Sequence, residues 1–494
     1  PVSRLRIRQH HRCAVAEVVV IGAGISGLTA AYLLRAGGHD VVVFDQGDVP
    51  GGRMRSERID GFLMEHGANS VVGPAPAVEN LIAGLDLGSE KVLRSAAARS
   101  RYLVRAGRAH ALPVTPRRFF MSGFFSLAGR MRLLLEPWVA VQRDDETIAA
   151  FTRRRLGQEM LDYVMDPLAA GLHAGDPRQL SISAVFPQLK RLERCHGSIV
   201  LGAIGSRWRR DGQSATYGPG KRILFSFRQG LGALPRAVAH SLAGRIFPGH
   251  RVESVRRGAG GRFRVLVRRG AAAQRIMADS VVVALPAYAA ANVLDELDRH
   301  VAETLAEISH PPLAVVFLGY RASAIAHPLD GLGVLMPAIE KRNVLGMLFS
   351  STLFPGRAPA EHVALTAFVG GARQPQLALL EPDELAALVH GEVRQLLGGR
   401  AAPVVARTRC WRRGLPQPGV DHAQRLGRIA AVESEQPGLF LTGNYFSGVS
   451  TTACIQQAFD TAQRVTLHLA SRPGQRRLVA WRADSLVAKT PVSG

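Results

Sequence analysis

The sequence predicts an α/β protein in which one nucleotide-binding domain is divided by inserted segments, and three observations support this. A valine-rich strand at 17–21 leads through a glycine-rich turn into a helix at 26–35. After a helical stretch at about 113–210, strand-like segments return at about 221–318. A last strand and glycine turn at 438–444 open a final helix. Because 494 residues exceed the usual size of a single core, we expect about two to four domains.

The first turn carries the strongest local signal. VVVIGAGISGLTAAYLL places Gly22, Gly24 and Gly27 in the G-x-G-x-x-G spacing, directly after a strand and at the start of a helix. Gly22 permits the tight turn, Gly24 lets the backbone approach a pyrophosphate, and Gly27 permits close helix packing. The helix N-terminus attracts phosphate. Asp45 ends the next strand, 41–44, where it can bind a ribose hydroxyl, so this part of the sequence predicts a Rossmann-like dinucleotide site.

The residues after the second strand narrow the choice of dinucleotide. The run GGRMRS begins with Gly51, Gly52 and Arg53, and it resembles the GG-R-x-R-S run of the FAD-dependent amine oxidase superfamily. In that superfamily the glycines let the chain pass close to the cofactor, and Arg53 would neutralise phosphate charge. The resemblance implies FAD.

The C-terminal segment PGLFLTGNYFSGVSTTACIQQAFDTAQRV repeats the order of strand, glycine turn and helix. In the same superfamily this segment returns to the flavin and directs a helix N-terminus at the N1/O2 edge of the ring, where reduction places negative charge. The resemblance implies cofactor contacts from Gly443, Asn444, Gly448 and Val449. The alternative is an ordinary closing βα unit.

Composition excludes several classes of protein. The net charge is +23, but five of the 62 basic residues are lysines and the other 57 are arginines scattered along the whole chain, which does not indicate a nucleic-acid footprint. The four cysteines show no CxxC pair, so neither a metal site nor a disulfide framework is predicted. We find no apolar run long enough to span a membrane. The scattered cysteines fit a reducing compartment, so we expect a cytoplasmic protein, either free or peripheral to a membrane. Residues 1–15 are basic and lack a secretory h-region, and they leave localisation open, because a mitochondrial leader shares this composition but is usually longer.

The middle of the chain is similar, segment by segment and in order, to the protoporphyrinogen oxidase family. The segments that carry this similarity are RYLVRAGRAHALP, DPLAAGLHAGDPRQLSISAVFPQLKRLERCHGSIVLGAI, KRILFSFRQGLGALPRAVA, GLGVLMPAIEKRNVLGMLFSSTLFPGRAP, VALTAFVGGARQPQL and WRRGLPQPGVDH. The similarity covers about 17–467. It implies an FAD-dependent oxidase that converts protoporphyrinogen IX to protoporphyrin IX, with molecular oxygen as acceptor and hydrogen peroxide as by-product.

The resemblance also implies roles for individual residues. Arg101 matches the arginine that holds a substrate propionate, and Gly171 matches the glycine whose backbone carbonyl lies beside the tetrapyrrole at the catalytic centre. Leu335 and Phe368 match positions in the apolar walls. Leu332 stands where the family more often has phenylalanine. These roles suit a planar, hydrophobic substrate that carries carboxylates.

Departures from the family pattern leave alternatives open. Besides Leu332, Ala68 replaces a more usual proline, and GVSTTACI is unusual after its valine. The first alternative is a flavin oxidase of the same scaffold acting on coproporphyrinogen, on an amine or on a secondary metabolite. The second is a basic binding protein for membrane or nucleic acid without enzymatic activity. The oligomeric state also stays open, with a homodimer as one option.

Two further features have competing interpretations. His173 is interpreted as a loop histidine with satisfied hydrogen bonds rather than a base, since the matching family position is not histidine. The run 124–137, FFSLAGRMRLLLEP, is predicted to be a helix with one apolar face. The residues on that face are Phe124, Leu127, Ala128, Met131 and Leu134. Core packing is the expected fate of such a helix, and a membrane-facing surface is the alternative.

The predicted architecture is therefore a Rossmann-like FAD-binding domain with an inserted mixed α+β substrate domain and a helical subdomain that is a candidate for membrane contact. The FAD-binding domain takes 16–75, 216–290 and 426–470. The helical and substrate region takes 76–215, and the substrate domain takes 291–425.

Overall fold

The sheet that contains the N-terminal motif, here called the first sheet, has seven strands. The structure is a computed structural model, and it describes residues 14–112, 123–208 and 223–472. Five strands run parallel and two form an antiparallel extension. In spatial order the strands are Ile246–Phe247, Val41–Phe44, Ala14–Ile21, Ala272–Val283, Phe263–Arg269 and Arg251–Arg257, with Leu439–Leu441 also paired to Ala272–Val283.

Both faces of the first sheet are covered, which explains its nearly continuous valine content. Val18 and Val20 point into one core, while Val19 and Ile21 point into the other, as the alternation of a strand requires. The helices over the first core are Ile25–Ala36, Pro76–Gly84, Ala233–Ser241 and Thr451–Ala470. The helices over the second are Ala287–Leu294, Arg299–Ala306 and His422–Glu435.

The predicted elements of this domain are confirmed, with small differences at their ends. The second strand is Val41–Phe44 as predicted, and the strand RVESVRR is Arg251–Arg257. The first strand begins earlier, at Ala14, and the first helix is Ile25–Ala36. The final helix starts at Thr451, because the hydroxyl of Ser450 accepts a hydrogen bond from the backbone N–H of Ala453 and caps it.

A second sheet of seven strands stands apart from the first. Its strands are, in order, Val405–Trp411, Leu313–Arg321, His362–Gly370, Gly346–Phe349, Gly331–Leu335, Ser100–Arg105 and Arg108–Ala111. Its helices are Ser350–Leu353 and Pro382–Leu397. The two strands at 100–111 thus pair with strands of the predicted substrate domain, 291–425. The predicted boundary groups them instead with the helical and substrate region, 76–215. The domain boundaries stay a prediction.

Small sheets and a helical unit complete the architecture. One hairpin pairs Ser56–Ile59 with Phe62–Glu65, and a three-stranded sheet contains Val71–Gly73, Ile223–Phe227 and Lys91–Leu93. The helices of the helical unit are Leu127–Leu134, Ile148–Arg155, Gln158–Met160, Asp166–His173, Ile182–Val185, Pro187–His196 and Ile199–Trp208, with a π-helical turn at Leu161–Met165. Residues 113–122 and 209–222, at the edges of the predicted helical stretch, and most of the basic N-terminal run lie outside the described residues.

A buried ion cluster holds the helical unit together. Arg155 is fully buried, and its guanidinium contacts Glu193 at 3.0 Å and Glu136 at 3.2 Å. Glu136 also accepts hydrogen bonds from Ser198 and from the backbone N–H of Ile199, at the start of the last helix of the unit. The cluster therefore joins three helices and the turn before them.

The helix predicted at 124–137 is shorter and more exposed than expected. It spans Leu127–Leu134, and the two phenylalanines before it are buried against Leu103. Leu127, Met131 and Leu134 are 71, 51 and 50 % exposed. The expectation of core packing is therefore wrong for most of this face, because burial of the phenylalanines turns the helix outward.

Arg155→Met is expected to lower the free energy of unfolding by about 3–5 kcal/mol, because it leaves the buried Glu136 carboxylate without its cation, whereas Glu193 keeps Arg154 and Lys190. Urea denaturation followed by circular dichroism measures this. The matched control is Arg299→Met, which breaks an exposed pair with Glu303 and should change little. Equal effects of the two substitutions would contradict the role of the cluster.

Candidate functional site

One cavity of about 3010 Å³ is lined by both sheets and by the helical unit. Binding sites for single small ligands usually hold about 300–1,000 Å³. The first sheet contributes strand ends such as Ile21 and Phe44, the second contributes Phe368 and Trp411, and the helical unit contributes Gly171. The volume therefore suits a dinucleotide together with a second large ligand.

The glycines of the first turn each show a separate geometric requirement. Gly22 has φ +105°, and a side chain there would lie 2.6 Å from the carbonyl oxygen of Ala284. A Cβ on Gly27 would overlap the carbonyl oxygen of Gly22, so the helix can approach the turn only without it. Around Gly24 the space is open, and this residue lines the cavity. The turn thus presents bare backbone and a helix N-terminus to the cavity, as phosphate binding requires.

Asp45 and the glycine pair extend this surface. The Asp45 carboxylate accepts hydrogen bonds from the backbone N–H of Ala23 at 2.6 Å and of Gly47 at 2.7 Å, so its position beside the turn is fixed. Gly52 has φ +57°, and its Cβ would stand 3.2 Å from the Cα of Gly24. Gly51 donates its N–H to the carbonyl of Ala23. The segment after the second strand therefore packs directly against the Gly22–Gly27 turn.

Arg53 lines the cavity, but its hydrogen bonds differ from the expected phosphate contact. Its two terminal nitrogens donate to the carbonyls of Gly414 at 2.6 Å and Arg413 at 2.5 Å. Its guanidinium also lies over the ring of Trp411. Burial lowers the pKa of Arg53. The Arg53 side chain therefore joins the segment 413–414, which follows the edge strand Val405–Trp411 of the second sheet, to the pair Gly51 and Gly52.

The C-terminal turn reaches the same cavity. Gly443, Asn444, Gly448 and Val449 all line it, together with the first residues of the final helix. That helix packs beside the first helix of the chain in one core. Two helix N-termini therefore face one cavity, where each favours negative charge. This geometry fits a dinucleotide with anionic phosphates and a ring system that becomes anionic on reduction.

Three of the predicted substrate residues come together. Gly171 and Phe368 line the cavity, and a Cβ on Gly171 would lie 2.6 Å from Cδ2 of Leu335. Gly171 belongs to the last turn of the helix Asp166–His173, and within the described residues no donor is bonded to its carbonyl oxygen. Carbonyls of a last helical turn lack intrahelical donors and can accept from a ligand. The roles of Gly171, Leu335 and Phe368 toward a substrate stay predictions.

Arg101 and Leu332 lie elsewhere. Arg101 is exposed on the strand Ser100–Arg105, two residues before the buried Leu103, and it is not among the residues that line the cavity. Leu332 packs in a small apolar cluster with Leu353 and Phe354. The structure therefore does not bring these two side chains to the cavity wall, and their assigned roles are untested.

His173 differs from its interpretation. It ends the helix Asp166–His173, is 8 % exposed and lines the cavity. Its Nδ1 is buried without a hydrogen-bond partner in the described part of the chain. The interpretation as a satisfied loop histidine is thus wrong, because the residue ends a helix and the described residues give its Nδ1 no partner. Burial lowers the pKa of His173 to about 4.

Sequence reasoning missed one part of the cavity wall and one buried ion pair outside it. His250, Arg251, Val252 and Glu253 line the cavity at the start of a first-sheet strand, where only a strand was expected. The buried carboxylate of Glu65 contacts Arg357 at 3.1 Å, joining the hairpin before the cavity to the second sheet. Burial raises the pKa of Glu65 to about 7. Neither feature has a local sequence signal, because both depend on distant segments meeting.

Comparison with known proteins agrees with this geometry. Residues 25–466 match the family described as flavin containing amine oxidoreductase. The match covers most of the chain, from just after Gly24 to the final helix, and it includes the C-terminal glycine turn. The fold and the site therefore define a flavin-dependent oxidoreductase.

Curated relatives define the family more narrowly. Over 481 residues the chain is 31 % identical to protoporphyrinogen oxidase 2 of Arabidopsis thaliana, covering 92 % of this chain and 94 % of the relative. It is 32 % identical over 479 residues to the protoporphyrinogen oxidase of Bos taurus, covering 91 % and 98 %. A Bacillus subtilis relative named coproporphyrinogen III oxidase is 26 % identical over 462 residues, covering 89 % and 96 %.

The chain belongs to the protoporphyrinogen oxidase family, and it is an FAD-dependent oxidoreductase. The fold agrees with a solved structure from Exiguobacterium sp. 255-15 named for the same oxidase, at TM-score 0.78 and 22 % identity over 93 % of this chain and all of that one. Cyclohexylamine oxidase from Brevibacterium oxydans IH-35A shares the fold at TM-score 0.66, 18 % identity, and 92 % and 99 % coverage. The predictions of FAD and of the α/β fold are confirmed.

Gly27→Ala is expected to abolish soluble, flavin-containing protein, because the methyl group would overlap the carbonyl of Gly22. Gly24→Ala is the matched control, since its methyl group meets no protein atom. It should fold but bind FAD at least about tenfold more weakly, because the methyl group enters the space for the phosphates. Flavin content and the thermal unfolding midpoint are measured for both variants. A flavin-loaded Gly27→Ala protein would contradict this packing.

Acid is expected to destabilise the protein partly through His173. The unfolded imidazole titrates near pH 6.5 and the folded one near 4, so this stability is complete above pH 6.5 and is lost as the pH falls toward 4. The loss at pH 4.5 is about 2 kcal/mol. His173→Gln should reduce the difference in urea midpoint between pH 7 and 4.5. The same difference in both proteins would contradict a neutral, buried His173.

Proposed function

We propose that this protein oxidises protoporphyrinogen IX to protoporphyrin IX in successive two-electron steps, with molecular oxygen as the electron acceptor and hydrogen peroxide as the by-product. The observation that carries the proposal is the single cavity that joins the two helix N-termini to Gly171 and Phe368. A flavin bound at the helix N-termini supplies hydride acceptance. The other end of the cavity has room for a macrocycle.

The chain itself would bind and orient the substrate. The apolar wall at Phe368 suits the face of a hydrophobic macrocycle, and Leu335 packs against Gly171 beside it. The carbonyl of Gly171 can accept a hydrogen bond from it, and the absence of a Cβ lets the helix approach Leu335. Arg101 would hold a propionate from the exposed rim of the second sheet.

Purified protein with bound FAD is expected to produce porphyrin fluorescence and to consume oxygen when protoporphyrinogen is added, faster than autoxidation. Gly171→Ala should lower kcat/KM by at least about tenfold at unchanged flavin content, because the methyl group would displace Leu335. Gly391→Ala is the matched control, since that helical glycine has open space around it.

The same assay separates the substrates. If coproporphyrinogen is oxidised faster than protoporphyrinogen, the substrate is the one in the name of the Bacillus subtilis relative, and not protoporphyrinogen. A flavin-loaded protein that oxidises neither compound would contradict the proposal. Steeply salt-dependent DNA binding without turnover would instead support the non-enzymatic alternative.

We also propose that the exposed helix Leu127–Leu134 and the turn after it touch a membrane surface. Leu135 and Trp138 are 55 and 80 % exposed, and they extend the apolar face of the helix. Arg130 and Arg132 on the same helix carry positive charge. An apolar face with arginines suits the interface of an anionic bilayer. In the described residues no helix is long and apolar enough to cross a membrane.

The paired substitution Leu134→Ser and Trp138→Ser is expected to reduce co-sedimentation with phosphatidylglycerol vesicles at least about fivefold. Leu467→Ser is the matched control, because Leu467 is 63 % exposed on the final helix, away from this face. The control should sediment like the wild-type protein. Equal sedimentation of all three proteins, or none by the wild type, would contradict membrane contact through this helix.

A further inference from the structure

The wall of the cavity carries more positive than negative side chains. Among the described residues that line it, five are arginines and two are carboxylates: Arg53, Arg55, Arg191, Arg251, Arg409, Asp45 and Glu253. Five of these seven side chains belong to the first sheet or to the segment that follows its strand Val41–Phe44. The other two, Arg191 on the helical unit and Arg409 on the second sheet, lie outside that cofactor-type surface. Their positive charge favours a second anionic ligand.

Strand register places Arg409 on the same face of the second sheet as Phe368. Val315, on the strand Leu313–Arg321, pairs with Phe368 on one side and with Arg409 on the other. Paired residues of neighbouring strands point to the same face of a sheet. All three of these residues line the cavity. Two strand spacings place the Cα atoms of Phe368 and Arg409 about 10 Å apart.

The next row of the second sheet continues this surface. Leu313 pairs with Trp411, and both residues line the cavity. Phe368, Val315, Leu313 and Trp411 therefore form an apolar surface, here called the floor, and Arg409 stands at its edge strand. An apolar surface with one cation at its edge suits a flat, hydrophobic ligand that carries a carboxylate.

The guanidinium of Arg409 is available to a ligand. The side chain is exposed, and its guanidinium carbon lies 4.7 Å from the ring centroid of Trp411. In the part of the chain that the structure describes, no carboxylate or carbonyl is bonded to it. A cation–π contact uses none of the five N–H donors of an arginine. These donors can therefore form a bidentate pair with a carboxylate.

Arg101, which the family resemblance assigns to a propionate, is placed differently. Its strand, Ser100–Arg105, stands five places from the edge strand Val405–Trp411 in the order of the second sheet. Of the described arginines on the strands of this sheet, Arg409 is the one that lines the cavity. A carboxylate of a ligand on the floor can thus meet Arg409 inside the cavity.

We propose that Arg409 binds a propionate carboxylate of the porphyrinogen while the macrocycle lies on the floor. This inference rests on the proposed function. The propionates are attached to pyrrole rings and not to the carbon bridges that are oxidised, so the ion pair holds the macrocycle and takes no part in hydride transfer. The pair has the same strength before and during the reaction. Its removal is therefore expected to raise KM and to leave kcat nearly unchanged.

Steady-state oxidation of protoporphyrinogen by the flavin-loaded enzyme tests this pair. Arg409→Gln is expected to raise KM about tenfold or more, with kcat within about threefold of the wild type. Arg409→Lys keeps the cation and should recover most of the affinity. The matched control is Arg407→Gln, because Arg407 is exposed on the same strand and does not line the cavity. Its KM should equal that of the wild type.

The dimethyl ester of protoporphyrinogen separates charge from shape. It has the same macrocycle without the carboxylates, so Arg409→Gln should change its kcat/KM by less than about threefold, with both substrates in the same detergent solution. The flavin content of each variant is measured first. If the glutamine variant does not fold, Arg409→Thr takes its place, since threonine suits a strand.

Three results would overturn the proposal. An unchanged KM in Arg409→Gln would do so, and a shifted flavin reduction potential in that variant would then show that Arg409 pairs with the cofactor. Equal losses for the acid and the ester would show a role in shape alone. A flavin-loaded wild-type enzyme that does not oxidise protoporphyrinogen would remove the proposed function and this inference with it. Wild-type turnover with an unchanged KM in Arg409→Gln would remove the inference alone.

Discussion

The close approach of the first helix to the turn before it is the constraint on which the site depends. Gly27 lies so near the carbonyl of Gly22 that no side chain fits between them. This contact directs the helix N-terminus, and not its flank, at the end of the first sheet. The final helix packs beside the first one, and its N-terminus lines the same cavity. Two positive helix termini therefore face one volume, which selects an anionic, dinucleotide-type ligand.

A second requirement is that the two sheets hold a fixed distance across the cavity. Arg53 binds the carbonyls after the edge strand of the second sheet, and the indole N–H of Trp411 donates to the carbonyl of His66. On another side of the cavity, Arg373 binds Asp166 at the start of the Gly171 helix. These contacts are individually modest, but together they set where the substrate wall stands relative to the cofactor turns. A misplacement of about 1 Å in such a site can cost about a hundredfold in rate.

How much the sequence could predict follows from which features are local. The positive φ of Gly22 and the close contact of Gly27 with the carbonyl of Gly22 involve residues a few positions apart, and the structure shows both. The fate of the helix around Leu127 depends on which neighbours cover it, and periodicity alone could not show that its apolar face is exposed. The hydrogen bonds of Arg53 and the unpaired ring of His173 depend on segments that are distant in the chain. Of the residues that the family resemblance supplied, Gly171 and Phe368 line the cavity and Leu335 packs against Gly171, whereas Arg101 and Leu332 lie elsewhere.

The measurement that tests this account most directly is a crystal structure of the protein with FAD and bound porphyrin. The account predicts the pyrophosphate at the Gly22–Gly27 turn, the flavin ring edge at the Gly448–Thr451 helix start, and the macrocycle between the Gly171 helix and Phe368. A dinucleotide bound away from both helix N-termini, or a macrocycle held outside the cavity, would contradict it.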